Sequence, residues 1–376
     1  MNDDLALVLS GGGAHAAYQV GFLRCLAGRF PDLRIPILTG ISAGAINAAF
    51  IANYRGTFAE SIDALSSFWL RLSIGNVFKA DAWSIAKKLL HWGIHLASGG
   101  VLGTPSPKGL VDTMPLRLLL EEGFAASNGG GMIGIRENIR QQKLKAVAIT
   151  TTNYATGQTV TWVQGKNIEI WERPDRHSEM TQITVDQIMA STALPIMFPA
   201  VKIGDSWYGD GGIRQYAPLS PALHLGAKRI LAVSTRYRPS PEETRSVAQR
   251  EYPSVAHIVD ILMSAIFVDH LDQDVLGLER VNRLLENEAM QEDLKLRLVR
   301  AFTLRPSLNL SKIAGEFEPD LPRSFRSLTR RFGTQETESF YWLSMVMFDA
   351  RYIKTLMDIG EADARARIGE ISALLA

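Results

Sequence analysis

Short, wholly apolar runs alternate along this chain with longer stretches whose apolar positions recur every third or fourth residue. Leu5-Ala6-Leu7-Val8-Leu9 carries no polar side chain, the pattern of a strand buried on both faces. After it, residues 14–29 place Ala17, Val20, Leu23 and Ala27 at helical spacing and stop near Gly28. Strand then helix repeats over residues 35–52. That segment has the length and apolarity of a short membrane span, but Thr39, Ser42, Asn47 and two glycines flanking the serine interrupt it. A buried strand, a turn and a buried helix fit better. Further strands are expected at 145–151, 159–163, 229–235 and 296–304, each rich in β-branched or apolar residues. Two of them follow helical segments, which suggests parallel crossovers.

This alternation predicts an α/β fold, a three-layer sandwich whose mostly parallel central sheet is covered by helices on both faces. Between Gly56 and Arg140 the pattern turns largely helical, broken by a glycine-rich stretch at 128–131, and reads as an insertion beside the site. Residues 253–288 form another long helical stretch, and the chain is helical again after Pro306, above all over 336–358. The expected organisation is an α/β domain over residues 1–310, with a helical insertion at about 56–140, and a C-terminal helical extension over 311–376.

Composition narrows the function classes. The 376 residues are 46% hydrophobic and 21% charged, which allows a large core. A net charge of +1 gives no footprint for nucleic acid, so no such partner is expected. Cys25 is the only cysteine and sits in an apolar segment, so no intrachain disulfide can form and a buried thiol in a reducing compartment is expected. The start, Met1-Asn2-Asp3-Asp4, is acidic, and the apolar run after it is cut at once by Ser10 and three glycines. That is not a signal peptide, and a cytoplasmic location is expected, with peripheral membrane contact at most.

Candidate chemistry begins at Gly40-Ile41-Ser42-Ala43-Gly44, a Gly-x-Ser-x-Gly sequence between a predicted strand and a predicted helix. A serine there is held on a sharp turn, with glycines permitting the backbone strain and the approach of a substrate. Small residues produce this pentapeptide by chance, so its context decides. An earlier turn, Ser10-Gly11-Gly12-Gly13-Ala14-His15-Ala16, also joins strand to helix and should gather backbone N–H groups on an anion. Its Gly11-x-Gly13-x-x-Ala16 spacing satisfies a dinucleotide fingerprint, but the second strand ends in Thr39-Gly40-Ile41-Ser42 where a ribose-binding acid is required. No cofactor is therefore expected. Beside a serine nucleophile the loop makes different sense: attack on an ester develops an oxyanion, and removing one preorganised donor typically costs about 3 to 4 kcal/mol.

A base is still needed. Histidines occur at 15, 91, 95, 177, 224, 257 and 270, none in a context that marks a triad base; His257 and His270 fall on the long helical stretch. Asp210, in Trp207-Tyr208-Gly209-Asp210-Gly211-Gly212, is the stronger candidate, because a carboxylate bracketed by glycines in a tight turn can approach a hydroxyl closely. Asp-Gly is also an ordinary turn.

Taken together, the chain resembles the patatin-like phospholipases, serine hydrolases that use a Ser-Asp dyad. The resemblance rests on Ser10-Gly-Gly-Gly-Ala14, Gly40-Ile-Ser-Ala-Gly44, Ala190-Ser-Thr-Ala-Leu-Pro-Ile-Met-Phe-Pro199 and Tyr208-Gly-Asp-Gly-Gly212, in that order, and spans about residues 5 to 235. It implies that Ser42 is the nucleophile, that Asp210 orients and deprotonates it, and that the loop Gly11, Gly12, Gly13 and Ala14 supplies the oxyanion hole. The 190–199 segment would shape the floor of the site. Implied too are hydrolysis of carboxylic esters in phospholipids or related acyl lipids, an acyl-enzyme, and no metal. A catalytically weak lipid-binding or scaffold protein of the same fold is the alternative; a nucleotide-binding module is a further one. One departure stands out: the family usually carries Arg or Lys followed by Gly where this chain has His15 and Ala16. With an ordinary pKa near 6.5, His15 would be charged only part of the time at neutral pH and make oxyanion stabilisation weaker or more pH-dependent than in arginine-bearing relatives; alternatively it only packs and hydrogen-bonds at the helix start.

Residues 83–101 place Ser84, Lys88, His91, His95 and Ser98 on one helical stripe and Ile85, Leu89, Trp92 and Leu96 on another. Such a helix can act as a lid resting on an anionic membrane, helped by Lys79, Lys87 and Lys88, or simply cover its own core. His91 and His95 have metal-ligand spacing, but Trp92 stands where a zinc protease has glutamate. Sequence gives no reading of oligomeric state.

Overall fold

A computed structural model describes residues 4–79, 108–125, 131–246, 270–286, 296–320 and 341–376, with positions 87, 252, 258, 261, 262 and 265 between them. The segment 83–101, apart from Lys87, lies outside the described residues, as do His91, His95, His257 and most of the 253–269 stretch. One mixed sheet organises the rest. Its strands are β1 (Leu5–Leu9), β2 (Ile37–Ile41), β3 (Ala146–Asn153), β4 (Thr159–Gly165), β5 (Glu172–Arg173), β6 (Arg176–Met180), β7 (Val201–Ile203), β8 (Ser206–Asp210), β9 (Arg229–Val233) and β10 (Arg300–Leu304). The order is β10-β9-β1-β2-β3-β4-β6-β5, and the five strands from β10 to β3 are parallel.

Why β1 lacks polar residues is now plain, since both of its faces are covered. Leu5, Leu7 and Leu9 join one core cluster, and Ala6 and Val8 join the other. The first face packs under α1 (Ala17–Arg29), α2 (Ala43–Asn53), α3 (Phe58–Leu70) and the C-terminal helix Ala350–Ala366. Ser220–His224 and Leu271–Leu284 cover the second, with Ala222 and Leu271 buried there. The three-layer α/β arrangement is therefore present. Cys25 is half-buried against the first cluster rather than fully enclosed.

Several boundaries differ from the sequence reading for local reasons. The helix expected from residue 14 opens with a 3₁₀ turn, Gly13–Ala16, and becomes α-helical at Ala17. The strand expected over 229–235 stops at Val233, so Ser234 and Thr235 leave the ladder. Likewise the strand expected from 296 begins at Arg300. Short strands β5 to β8 carry charged residues or glycine and lack an apolar run, so periodicity does not reveal them.

Candidate active site

Strand register brings the two halves of the site together. β2 runs parallel to β3 and ends with Ile41 opposite Thr150, whereas β8 runs antiparallel to β3 and ends with Asp210 opposite Thr151. Two strands thus approach from opposite directions along β3, and Ser42 follows one end while Asp210 closes the other. Trp207 to Asp210 is strand, and the tight turn starts only at Gly211.

Ser42 lies between β2 and α2 with φ 54° and ψ −131°, a left-sided conformation that costs a non-glycine residue about 1 to 3 kcal/mol. Packing enforces it. A Cβ on Gly44 would lie 2.4 Å from the Leu9 carbonyl oxygen, so only glycine lets α2 start this close to β1. The Ser42 N–H donates to Ser191 Oγ at 2.9 Å, and that hydroxyl donates to the Thr150 carbonyl at 2.7 Å. Ser191, within the 190–199 motif, therefore ties the strained turn to β3.

Asp210 is 0% exposed. Burial disfavours its charged form and lifts its pKa from 3.8 to about 7, against the opposing effects of the Ser42 hydroxyl and the Gly212 N–H, which donates to Oδ1 at 2.8 Å. The Ser42 contact is loose: it lowers the pKa, yet Oδ2 makes no aligned hydrogen bond.

The glycine loop is packed on three sides. A Cβ on Gly11 would come within 3.0 Å of Ser42 Cβ, one on Gly12 within 2.3 Å of Thr235 Oγ1, and one on Gly13 within 2.1 Å of the Met345 carbonyl oxygen. Behind it runs a buried polar chain. Trp69 Nε1 donates to Asn47 Oδ1 at 2.7 Å, Asn47 Nδ2 to Gln19 Oε1 at 3.0 Å, and Gln19 Nε2 to the Ser10 carbonyl at 2.7 Å. Asn47 also donates to the Ala16 carbonyl at 3.2 Å, so both ends of the loop are held.

The patatin-like phospholipase family matches residues 7–223, more than half of the chain. The chain belongs to that family. No curated protein matches it. Among solved structures, VipD from Legionella pneumophila is 13% identical with a TM-score of 0.36, covering 97% of this chain and 67% of that one. Human GIVD cytosolic phospholipase A2, in complex with methyl gamma-linolenyl fluorophosphonate, is 12% identical with a TM-score of 0.45, covering 100% and 60%. The ExoU–SpcU complex of Pseudomonas aeruginosa gives 15% and 0.26, covering 97% and 75%. This chain thus spans 60% of the human enzyme's length. Membership supports a lipid acyl hydrolase activity.

Within this patatin-like chain the surroundings of His15 fit the packing reading. Its ring is buried, edge-on to Tyr341 with centroids 6.3 Å apart, and burial together with the nearby Arg236 charge lowers its pKa to about 3. It is neutral at physiological pH, so no oxyanion effect can follow its titration near 6.5. Arg236 sits over the Tyr341 ring at 4.9 Å and donates to its hydroxyl at 3.0 Å. Ala16 replaces the usual glycine without strain, because its φ is −66°.

The other described histidines stand apart. His177 pairs with Glu179, His224 stacks on Trp171, and His270 approaches Tyr216. Among the described residues none lines the two small cavities, each about 30 Å³, that flank the loop. One is apolar, walled by Ser42, Ile46, Trp69, Phe198, Met345 and Phe348. Its neighbour is more polar and bounded by Gly11, Gly12, Asp210, Thr235 and Arg236. Thr235, Ser191, Gln19 and Asn47 were not singled out as site residues by sequence; the one signal was a polar side chain inside an apolar run, at Asn47 and Gln19.

Proposed function

We propose that this protein is a serine lipid acyl hydrolase in which Ser42 is the nucleophile and Asp210 its base. The observation that carries the reading is a strained serine meeting a fully buried carboxyl whose pKa is lifted to about 7. A base poised near neutrality accepts a proton in the transition state and returns it in the next step.

Ser42 Oγ attacks the ester carbonyl carbon as its proton passes to Asp210. The carbonyl oxygen becomes an oxyanion facing the N–H groups of the Gly11–Ala14 loop. Collapse breaks the bond to the alcohol, which leaves with the proton from Asp210, and the acyl group stays on Ser42. Water then attacks the acyl-enzyme with Asp210 again taking the proton, the bond between Ser42 Oγ and the acyl carbon breaks as Asp210 returns that proton to Oγ, and a fatty acid departs. Phospholipids or related acyl lipids supply the ester; the apolar cavity marks where an acyl chain begins, and its walls must part to accommodate more than a methylene or two.

Residues 83–101 are the candidate for access to lipid, as an amphipathic lid on an anionic surface, with a helix that covers its own core as the alternative. No described helix is long and apolar enough to cross a membrane.

Fatty acid release from a mixed phospholipid extract tests the dyad. Ser42→Ala and Asp210→Asn should each abolish release while remaining folded. Retention of most activity in Asp210→Asn, with loss in His270→Ala or His257→Ala, would replace the dyad by a triad.

A further inference from the structure

We propose that Thr235 is a positioning residue of the oxyanion loop: its hydroxyl holds the Gly11–Gly12 peptide so that the Gly12 N–H faces the reacting carbonyl. This rests on the Ser42–Asp210 reading and adds a part that lies beyond the matched family span, which ends at residue 223.

Three consecutive glycines solve a packing problem and create an orientational one. A side chain at Gly11 would crowd Ser42, and one at Gly12 is excluded by Thr235, as the close approaches above show. Glycines on both sides of a peptide bond, however, leave its plane free to turn at little steric cost, and a turned plane reverses carbonyl and N–H together. A donor pointing the wrong way does nothing for an oxyanion. Sterics alone therefore do not preorganise this loop.

Thr235 supplies the missing constraint. Its Oγ1 donates to the Gly11 carbonyl at 2.5 Å, and the residue is only 4% exposed, so water competes poorly for that carbonyl. In a trans peptide the N–H lies opposite the C=O. Drawing the Gly11 carbonyl toward Thr235 turns the Gly12 N–H away from it, toward the nucleophile side of the loop. Gly12 has φ +150°, and the Thr235 hydroxyl fills the space a Cβ would need, so the two positions form a matched pair.

The anchor is itself fixed. Ser234, the preceding residue, donates its N–H to the Leu304 carbonyl at 3.0 Å, tying the exit of β9 to β10. On the other side Ser10 donates its N–H and Oγ to the Val233 carbonyl at 3.3 and 3.0 Å. The end of β9 thus holds the start of the loop and the peptide that follows it.

Thr235→Val and Thr235→Ser separate orientation from packing, since valine keeps the shape and loses the hydroxyl while serine does the reverse. Steady-state hydrolysis is measured beside Ser42→Ala, with thermal melting as the fold control. Removing a donor outright costs about 100- to 1,000-fold in kcat, so releasing its orientation should cost Thr235→Val about 10- to 100-fold, with KM changed less than about threefold. Thr235→Ser should stay within about threefold of the parent. If the valine variant does not fold, Thr235→Ala carries the same expectation. A valine or alanine variant within about twofold of the parent kcat, or a serine variant as impaired as the valine one, overturns the proposal. Undiminished hydrolysis by Ser42→Ala would instead overturn the dyad reading itself.

Discussion

Replacing Asp210 with asparagine should make the protein more stable while it abolishes activity, and the gain should depend on pH. Asparagine keeps an acceptor for the Gly212 N–H and places an amide where Oδ2 now lacks an aligned partner. What it removes is a buried ionisation. The folded-state pKa is raised from 3.8 to about 7, so stability linked to the neutral form is full below pH 3.8 and is lost as pH rises through about 7. A shift of that size is roughly 4 kcal/mol at about 1.4 kcal/mol per pH unit. With an unfolding entropy of about 2.1 cal/mol/K per residue, a chain of 376 residues converts this to a rise in Tm of about 5 °C above pH 8. Below about pH 4 the two proteins should melt together. Scanning calorimetry of both from pH 4 to 9 checks the sign and the window. A difference that does not vary with pH, or an asparagine variant less stable at pH 8.5, would refute the argument from burial.

Strain at Ser42 makes glycine the better residue for stability: Ser42→Gly should exceed Ser42→Ala by about 1 to 2 kcal/mol in urea unfolding, because alanine keeps the unfavourable φ of 54°. His15→Phe should leave the pH–rate profile unchanged, since the imidazole is already neutral, and improve stability in acid. A folded pKa of about 3 means stability is lost as pH falls from about 6.5 toward 3, and phenylalanine removes that loss, amounting to about 2 kcal/mol at pH 5. Deleting residues 83–101 should weaken flotation with vesicles of anionic phospholipid and leave hydrolysis of a soluble short-chain ester; unchanged flotation would remove the membrane role.

What sequence revealed and what it hid follow from the range of the interactions involved. β1 was legible because burial on both faces writes an unbroken apolar run, and Ser42 because the turn needs glycine beside it within two residues. Asp210 was harder. Its glycines read as a tight turn, and only register shows it as the last residue of β8, set against Thr151 next to the end of β2. Ser191 lies 149 residues from the N–H it accepts, and Thr235 lies 224 residues from the carbonyl it holds. Ser191 is marked only as part of the 190–199 motif, and nothing local marks Thr235. Sequence leaves two readings of His15 open for the same reason, since an ordinary imidazole pKa presumes water, whereas burial beside Tyr341 and Arg236, both distant in the chain, lowers it here.

The central claim is that the buried Asp210 carboxylate activates Ser42 without a histidine. The most direct measurement is the rate at which a fluorophosphonate forms its covalent adduct on Ser42, followed by intact mass from pH 5 to 9 in the parent and in Asp210→Asn. The parent rate should climb about tenfold per pH unit below 7 and level off above it, while the asparagine variant stays slow and flat across the range. A parent rate that does not bend near 7, or an asparagine variant labelled as fast as the parent, would contradict the account.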